Sequence, residues 1–370
     1  MRQVWGSVLA IVESLADIQT LEVQPDDAGE TARAIAYPAL CGPCEVGDRV
    51  LLNTTAVDLS LGTGGYHLVV CRVGNGASLH LDAPSPGHIM KLRYTPLQLD
   101  VLSVEEQSSP HHEVMKSARS IGGMPVACCG LHSQVPLVAA AVKQQDPSLT
   151  VAYVMTDFAA LPIALSGNVR ACLSSGLLDT TITCGQAFGG RYEAVNLHSA
   201  LLAARHVAHA DVVIVAIGPG VVGTATPFGH GGVAQGEAIN ATASLGGVPV
   251  AALRVSFADE RARHHGLSHH TVSALVDVAL APAVVAVPTL PEDYDEQLED
   301  ALESAGIWER HTRLSCRAGR AAAPGLRGLE VRTMGRGIAE DPAFFAASFA
   351  AGEACARIAR GKPDTEIAGF

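Results

Sequence analysis

Residues 211–232 read D-V-V-I-V-A-I-G-P-G-V-V-G-T-A-T-P-F-G-H-G-G. The apolar run 212–217 is too short for a helix and does not alternate, so it predicts a strand buried on both faces, as in a parallel sheet. The loop behind it then lies at the sheet's carboxyl edge, where open α/β sheets take ligands. Gly218, Gly220 and Gly223 leave backbone N–H groups free to converge on an anion, and Thr224, Thr226 and His230 line the same loop.

The flanking sequence repeats the pattern on both sides. Strand-like runs at 125–130, 151–155, 180–184, 249–257 and 284–287 alternate with helix-like stretches at 134–144, 161–174, 193–209, 234–245 and 268–280. That alternation predicts a doubly wound, mostly parallel α/β sheet covered on both faces. Residues 292–304 form an acidic helical pattern and 307–336 carry two strand-like runs around residues 321–325. Asp341-Pro342 reads as a cap with proline at the first helical position, opening a helix over 343–359. Phe344, Phe345 and Phe349 on it suit the core or an interface, so a homodimer is compatible with the sequence.

Ahead of this region the chain is β-rich. Short runs at 4–12, 18–23, 32–36, 49–52 and 67–73 with turn residues between them predict a small β-barrel. The polar stretch E-E-Q-S-S-P-H-H at 105–112 marks the boundary, giving a barrel-like domain over 1–105 and an α/β ligand-binding domain over 106–370.

The net charge is −12 and the 21 arginines and 4 lysines form no basic block, so neither nucleic acid nor an anionic membrane is an expected partner. Aromatic residues are 4% of the chain, too few for a base-stacking platform. The longest apolar candidate for a membrane span, 272–290, is broken by Asp277 and prolines. Nine scattered cysteines in a chain of 370 residues predict reduced thiols and a cytoplasmic setting. Cys41-Gly-Pro-Cys44 repeats the thioredoxin tetrapeptide, but the turn chemistry of the next four residues leads into a strand. The helix that would lower a thiol's pKa is missing, and the expectation is a hairpin with two incidental cysteines.

Polar residues collect behind the strands: His132, Asp157, residues 185–190, the 218–232 loop, and 259–270 beginning at Asp259. Residues 218–223 match G-x-G-x-x-G, but the glycines and threonines that follow postpone the helix. No carboxylate closes a second strand about twenty residues on, so a dinucleotide site is not expected. Residues 256–271, S-F-A-D-E-R-A-R-H-H-G-L-S-H-H-T, are the richest in chemistry. Ser268 suits a helix N-cap, which puts His269 and His270 in the first turn, where the helix dipole favours neutral rings. Arg261 and Arg263 can clamp an anion at the same helix end.

Three readings of these histidines stand side by side. His230, His264, His269 and His270 with Asp259 have the ligand types for a divalent metal, although their spacing matches no familiar motif. They also suit acid–base chemistry beside an anion clamp, and they suit solvated loops.

The motifs L-N-T-T-A at 52–56, L-G-T-G-G-Y-H at 61–67, M-T-D at 155–157, A-F-G-G at 187–190, G-P-G-V-V-G-T at 218–224 and R-H-H-G-L-S-H-H at 263–270 together resemble a bacterial family, domain of unknown function 3866. The resemblance implies no activity. On the residues themselves the expectation is a small anionic ligand, bearing phosphate or carboxylate, held by the 218–226 loop with Arg261 and Arg263. His264 or His270 would move protons against Asp157 or Asp259, with His132, His230 and His269 lining the pocket. A non-catalytic ligand sensor and a metal-dependent hydrolase are the alternatives.

Overall fold

The structure is a computed structural model that describes residues 1–60, 64–73, 87–317 and 326–361. Residues 61–63 of the glycine-rich 61–67 motif and the expected turn at 321–325 lie outside the described residues. The chain divides into two compact units, Met1–Leu102 and Ser103–Phe370.

In the first unit β1 (Gln3–Ser14), β2 (Gln19–Pro25), β3 (Ala32–Ala36), β4 (Arg49–Asn53) and β5 (Tyr66–Val73) close into a barrel of order β1-β2-β3-β5-β4. β3 and β5 pair in parallel and every other pairing is antiparallel, the arrangement of an OB-type Greek-key barrel. Alternation puts Val8, Leu21, Val23, Ala34, Val50 and Leu52 inside. Cys41 and Cys44 join the same core, each 2% exposed. A single helical turn, Pro38–Cys41, ends at the first thiol instead of beginning there, so no helix N-terminus lowers its pKa. A ribbon of β6 (Ile89–Lys91) and β7 (Leu99–Val101) completes the unit.

The second unit is built on eight parallel strands: β8 (Pro125–Cys128), β9 (Val151–Thr156), β10 (Thr180–Cys184), β11 (Tyr192–Ala194), β12 (Val212–Ile217), β13 (Val248–Ala252), β16 (Val284–Pro288) and β17 (Thr312–Cys316). Between β13 and β16 the two-residue strands β14 (Val255–Ser256) and β15 (Gly266–Leu267) form an antiparallel ribbon. The large sheet runs β11-β10-β9-β12-β8-β13-β16-β17, and every residue of β12 is buried, as its unalternating apolar run requires. Helices Val135–Gln145, Gly167–Ser174 and Pro342–Ala359 pack on one face with Phe344, Phe345 and Phe349, each 1% exposed. Helices Leu197–His206, Ala234–Ser244 and Glu292–Ser304 pack on the other. Connections from β8 and β9 therefore leave over one face and those from β12 and β13 over the opposite one, which opens the sheet's carboxyl edge at its centre.

Four local expectations are corrected. The helix expected from residue 193 starts at Leu197, because residues 192–194 add β11 to the sheet and Asn196 caps the helix by accepting from the Ser199 N–H at 3.0 Å. Pro162 keeps the chain extended before the helix expected from 161, which begins at Gly167 behind its cap Ser166. Over 307–336 the described residues hold one strand, β17. Asp341 does not cap its helix; its carboxylate accepts from Ser256 Oγ at 2.7 Å and Arg336 Nε at 3.1 Å.

Candidate histidine site

The loop after β12 is a hairpin. Gly223 bridges His230, and Thr224 N–H donates to the Gly229 carbonyl at 2.9 Å. Gly220 turns it with φ +92, a conformation that side chains other than glycine's disfavour. The tip closes on itself, with Thr224 Oγ1 2.9 Å from Thr226 Oγ1 and Thr226 accepting from the Gly229 N–H. The returning leg delivers His230 in extended conformation, and the turn Gly231–Val233 then starts the next helix. A Cβ on Gly232 would stand 3.0 Å from His230 Nδ1 and 3.1 Å from His270 Cβ, so only glycine lets the loop approach the second group of histidines this closely.

That second group comes from the loop after β13. Pairing of Val255 with Leu267 and Ser256 with Gly266 folds residues 257–265 out and brings Ser268 back beside Arg254, whose carbonyl accepts the Ser268 N–H at 2.9 Å. Ser268 caps His270 N–H, and its hydroxyl lies 2.7 Å from His264 Nδ1. His269–Val272 is a single α-turn that widens into a π-turn over Ser273–Val278, closed by Ala279 N–H donating to the Ala274 carbonyl at 2.9 Å.

Four imidazoles meet here. His230 and His270 stack with ring centroids 3.7 Å apart and planes within 4° of parallel. His269 lies 5.3 Å from His230 and 4.5 Å from His270, and His264 lies 4.8 Å from His270. Ring nitrogens of His230, His269 and His270 all fall within 4.8 Å of one another. His230 Nε2 donates to the Pro227 carbonyl at 2.9 Å, which leaves Nδ1 of the neutral ring as a lone pair. This Nδ1 and His269 Nε2 are buried and without a hydrogen-bond partner among the described residues.

Burial is the first cause that keeps these rings neutral. It pushes His270 down to about 2 and His264 to about 3, with the Arg254 guanidinium adding to both. Burial likewise lowers His230 and His269, the latter helped by the charges of His230 and Arg263. The neutrality expected from the helix dipole therefore has another origin, since only one α-turn is present.

Arg254 is the residue that sequence reasoning missed. It is 6% exposed and donates to His270 Nδ1 at 3.1 Å. Its signal was a single charge inside the apolar run 249–257.

The other expected site residues are distributed as follows. Asp259 is 3% exposed and gripped by Arg261 through Nε at 2.8 Å and Nη2 at 2.7 Å, with Arg254 Nη2 at 3.9 Å and Arg336 Nη2 at 3.5 Å. The Arg261 hydrogen bond holds its carboxyl well below the usual range. Asp259, expected as a proton acceptor, and Arg261, expected as part of the anion clamp, thus pair with each other. Arg263 is exposed and makes no ion pair or hydrogen bond with the described residues. Asp157 accepts the Gln186 N–H at 2.8 Å, bracing the turn after β10, and among the described residues forms no hydrogen bond with the four histidines. His132 stands apart as well, with Nε2 2.7 Å from Ser166 Oγ and Nδ1 3.2 Å from both Tyr153 Oη and the Ile217 carbonyl. Gly218 is buried, and a Cβ there would lie 2.4 Å from the Ala160 carbonyl oxygen. Thr224 and Thr226 serve the hairpin tip.

No curated protein and no solved structure matches the chain. A family model described as "Protein of unknown function (DUF3866)" matches residues 33–352, and the chain belongs to that family.

Proposed function

We propose that the protein binds a small anionic molecule, bearing phosphate or carboxylate, at the histidine cluster and acts on it as an enzyme. Neutral imidazoles line the site and Arg263 supplies the charge that holds the anion. The observation that carries this reading is the pair of buried ring nitrogens without a partner among the described residues, His230 Nδ1 and His269 Nε2, near the Arg263 guanidinium, which no carboxylate of the described residues neutralises. An unsatisfied buried polar atom costs about 1–3 kcal/mol, and such atoms persist where a ligand completes them. The placement at the centre of the sheet's carboxyl edge supports the same reading. All nine cysteines are free, which supports a reducing, cytoplasmic setting.

Calorimetric titration with inorganic phosphate, sulfate and small carboxylates tests the reading. Arg263→Ala is expected to weaken binding by about tenfold or more, since a charge-assisted contact contributes roughly 1.5–3 kcal/mol. Arg263→Lys should recover only part of the loss, because an ammonium cannot grip two oxygens in one plane. Equal affinities for wild type and Arg263→Ala would overturn the assignment.

A further inference from the structure

The surroundings of the unpartnered nitrogens narrow what completes them. We propose that His230, His269 and His270 together hold one divalent transition-metal ion of the zinc class, deepening the reading above by adding a metal centre next to the anion held by Arg263.

Three observations carry it. Three ring nitrogens from two separate loops lie within 4.8 Å of one another. An N–metal distance of about 2.0–2.1 Å in a tetrahedral zinc site implies N–N separations of roughly 3.3–3.4 Å, so the rings draw together by up to about 1.5 Å when the ion enters, and the stacked His230 and His270 rings tilt out of parallel to aim both lone pairs at it. His269 is half-buried and stands at the start of a single helical turn. Next, His230 already has the outer hydrogen bond of a metal-bound imidazole. Its Nε2–H donates to the Pro227 carbonyl, which fixes the tautomer with the Nδ1 lone pair facing inward. Finally, the donor set is neutral imidazole with no carboxylate in it, which suits zinc, cobalt or nickel better than magnesium or calcium.

Arg254 is the competitor. It donates to His270 Nδ1, so in the metal-free ring the proton sits on Nε2. Coordination by His270 expels either that proton or the guanidinium contact. This gives the experiment its discrimination, because removing Arg254 relieves a cation site of a competing donor and a positive neighbour, whereas it strips a purely anionic site of an anchor.

The test uses the full chain purified without affinity tag or chelator. Elemental analysis is expected to show near one equivalent of a transition metal. Protein stripped and titrated with zinc or cobalt should bind one ion, and the cobalt form should give the visible absorption bands of low-coordinate nitrogen ligation. His269→Ala, at a half-buried position, should weaken metal binding by about tenfold or more, and Arg254→Met should tighten it. Wild type and His269→Ala binding zinc alike, or Arg254→Met weakening metal binding while the variant keeps the wild-type circular dichroism spectrum, would overturn the metal centre. Phosphate titration of the metal-stripped protein separates the two readings. Arg263-dependent phosphate binding without any metal binding refutes the metal centre alone, and loss of the Arg263 dependence refutes the anion site.

Discussion

Replacing Asp259 by Asn tests whether this carboxylate is a structural counter-ion, as its contacts indicate, or a proton acceptor. The side chain is 3% exposed and faces three guanidinium groups at 2.7, 3.5 and 3.9 Å. Asparagine keeps the shape and can keep one acceptor oxygen, but it removes the charge and turns an N–H₂ group toward donors. Breaking a buried ion pair by neutralising one partner costs about 3–5 kcal/mol. The close partner Arg261 has a side chain 42% exposed, so its share is screened by water and is worth about 1 kcal/mol or less. The buried partner Arg254 is at 3.9 Å, beyond contact distance. The lower end, about 3 kcal/mol, is therefore expected.

Urea unfolding followed by Trp308, in a Trp5→Phe background that silences the barrel, reads the loss in the α/β unit alone. Because the folded carboxyl sits below its ordinary value, its stabilisation is complete above about pH 4 and fades as pH falls below that. The penalty should shrink in acid accordingly. The double variant Asp259→Asn with Arg254→Met should be less destabilised than the sum of the singles, since it also removes the buried one of the three guanidinium groups that the neutral amide leaves uncompensated. Asp259→Asn unfolding within about 0.5 kcal/mol of wild type at neutral pH would refute the counter-ion assignment and return Asp259 to the list of catalytic candidates.

His132 supplies a pH prediction. Burial pushes it down to about 4 from an ordinary value near 6.5, so the folded state favours the neutral ring, and stability present above about pH 6.5 is lost as pH falls towards 4. The shift corresponds to on the order of 3 kcal/mol. His132→Gln should flatten the stability–pH slope over that window, and an unchanged slope by thermal melting would contradict the assignment. The thiols supply another. All nine are free and Cys71 is the one that is not fully buried, so a thiol reagent should modify about one cysteine rapidly in native protein and nine in urea. Fast labelling of Cys41 or Cys44 would show the barrel core to be more open than their 2% exposure implies.

Much of the fold was legible because it follows from periodicity. The barrel strands, the buried run of β12 and the alternation of strands and helices each leave a pattern in the order of apolar residues. The errors fall where a pairing partner decides the outcome. Residues 192–194 look like the start of a helix until the sheet offers them an edge, and residues 255–256 leave the strand 249–257 because residues 266–267 pair with them. The site was half legible for the same reason. Chain position put His264, His269 and His270 together, and strand order put His230 near them. Which arginine faces the rings and which faces Asp259 depends on a two-residue ribbon that no local signal announces. Nothing local therefore marks Arg254 as the partner of His270 or Arg261 as the partner of Asp259.

The π-turn behind His269 and His270 governs how this histidine cluster can be tuned. In a π-turn the backbone holds one residue more than an α-helix would over the same rise, so deleting one residue between 273 and 278 would regularise the helix and rotate everything ahead of it, the two imidazoles included, by roughly 100°. What accommodates the wide turn is Gly236 on the neighbouring helix, where a Cβ would come within 2.5 Å of the Ala274 carbonyl oxygen and 2.7 Å of Val278 Cβ. The atoms nearest a methyl group on Gly236 belong to Ala274 and Val278, so it would push on the turn that aims two of the histidines. The orientation of the rings is set from the far side of a helix pair, and a lineage could reorient the histidine cluster by one insertion, one deletion or one methyl group without altering any of its histidines.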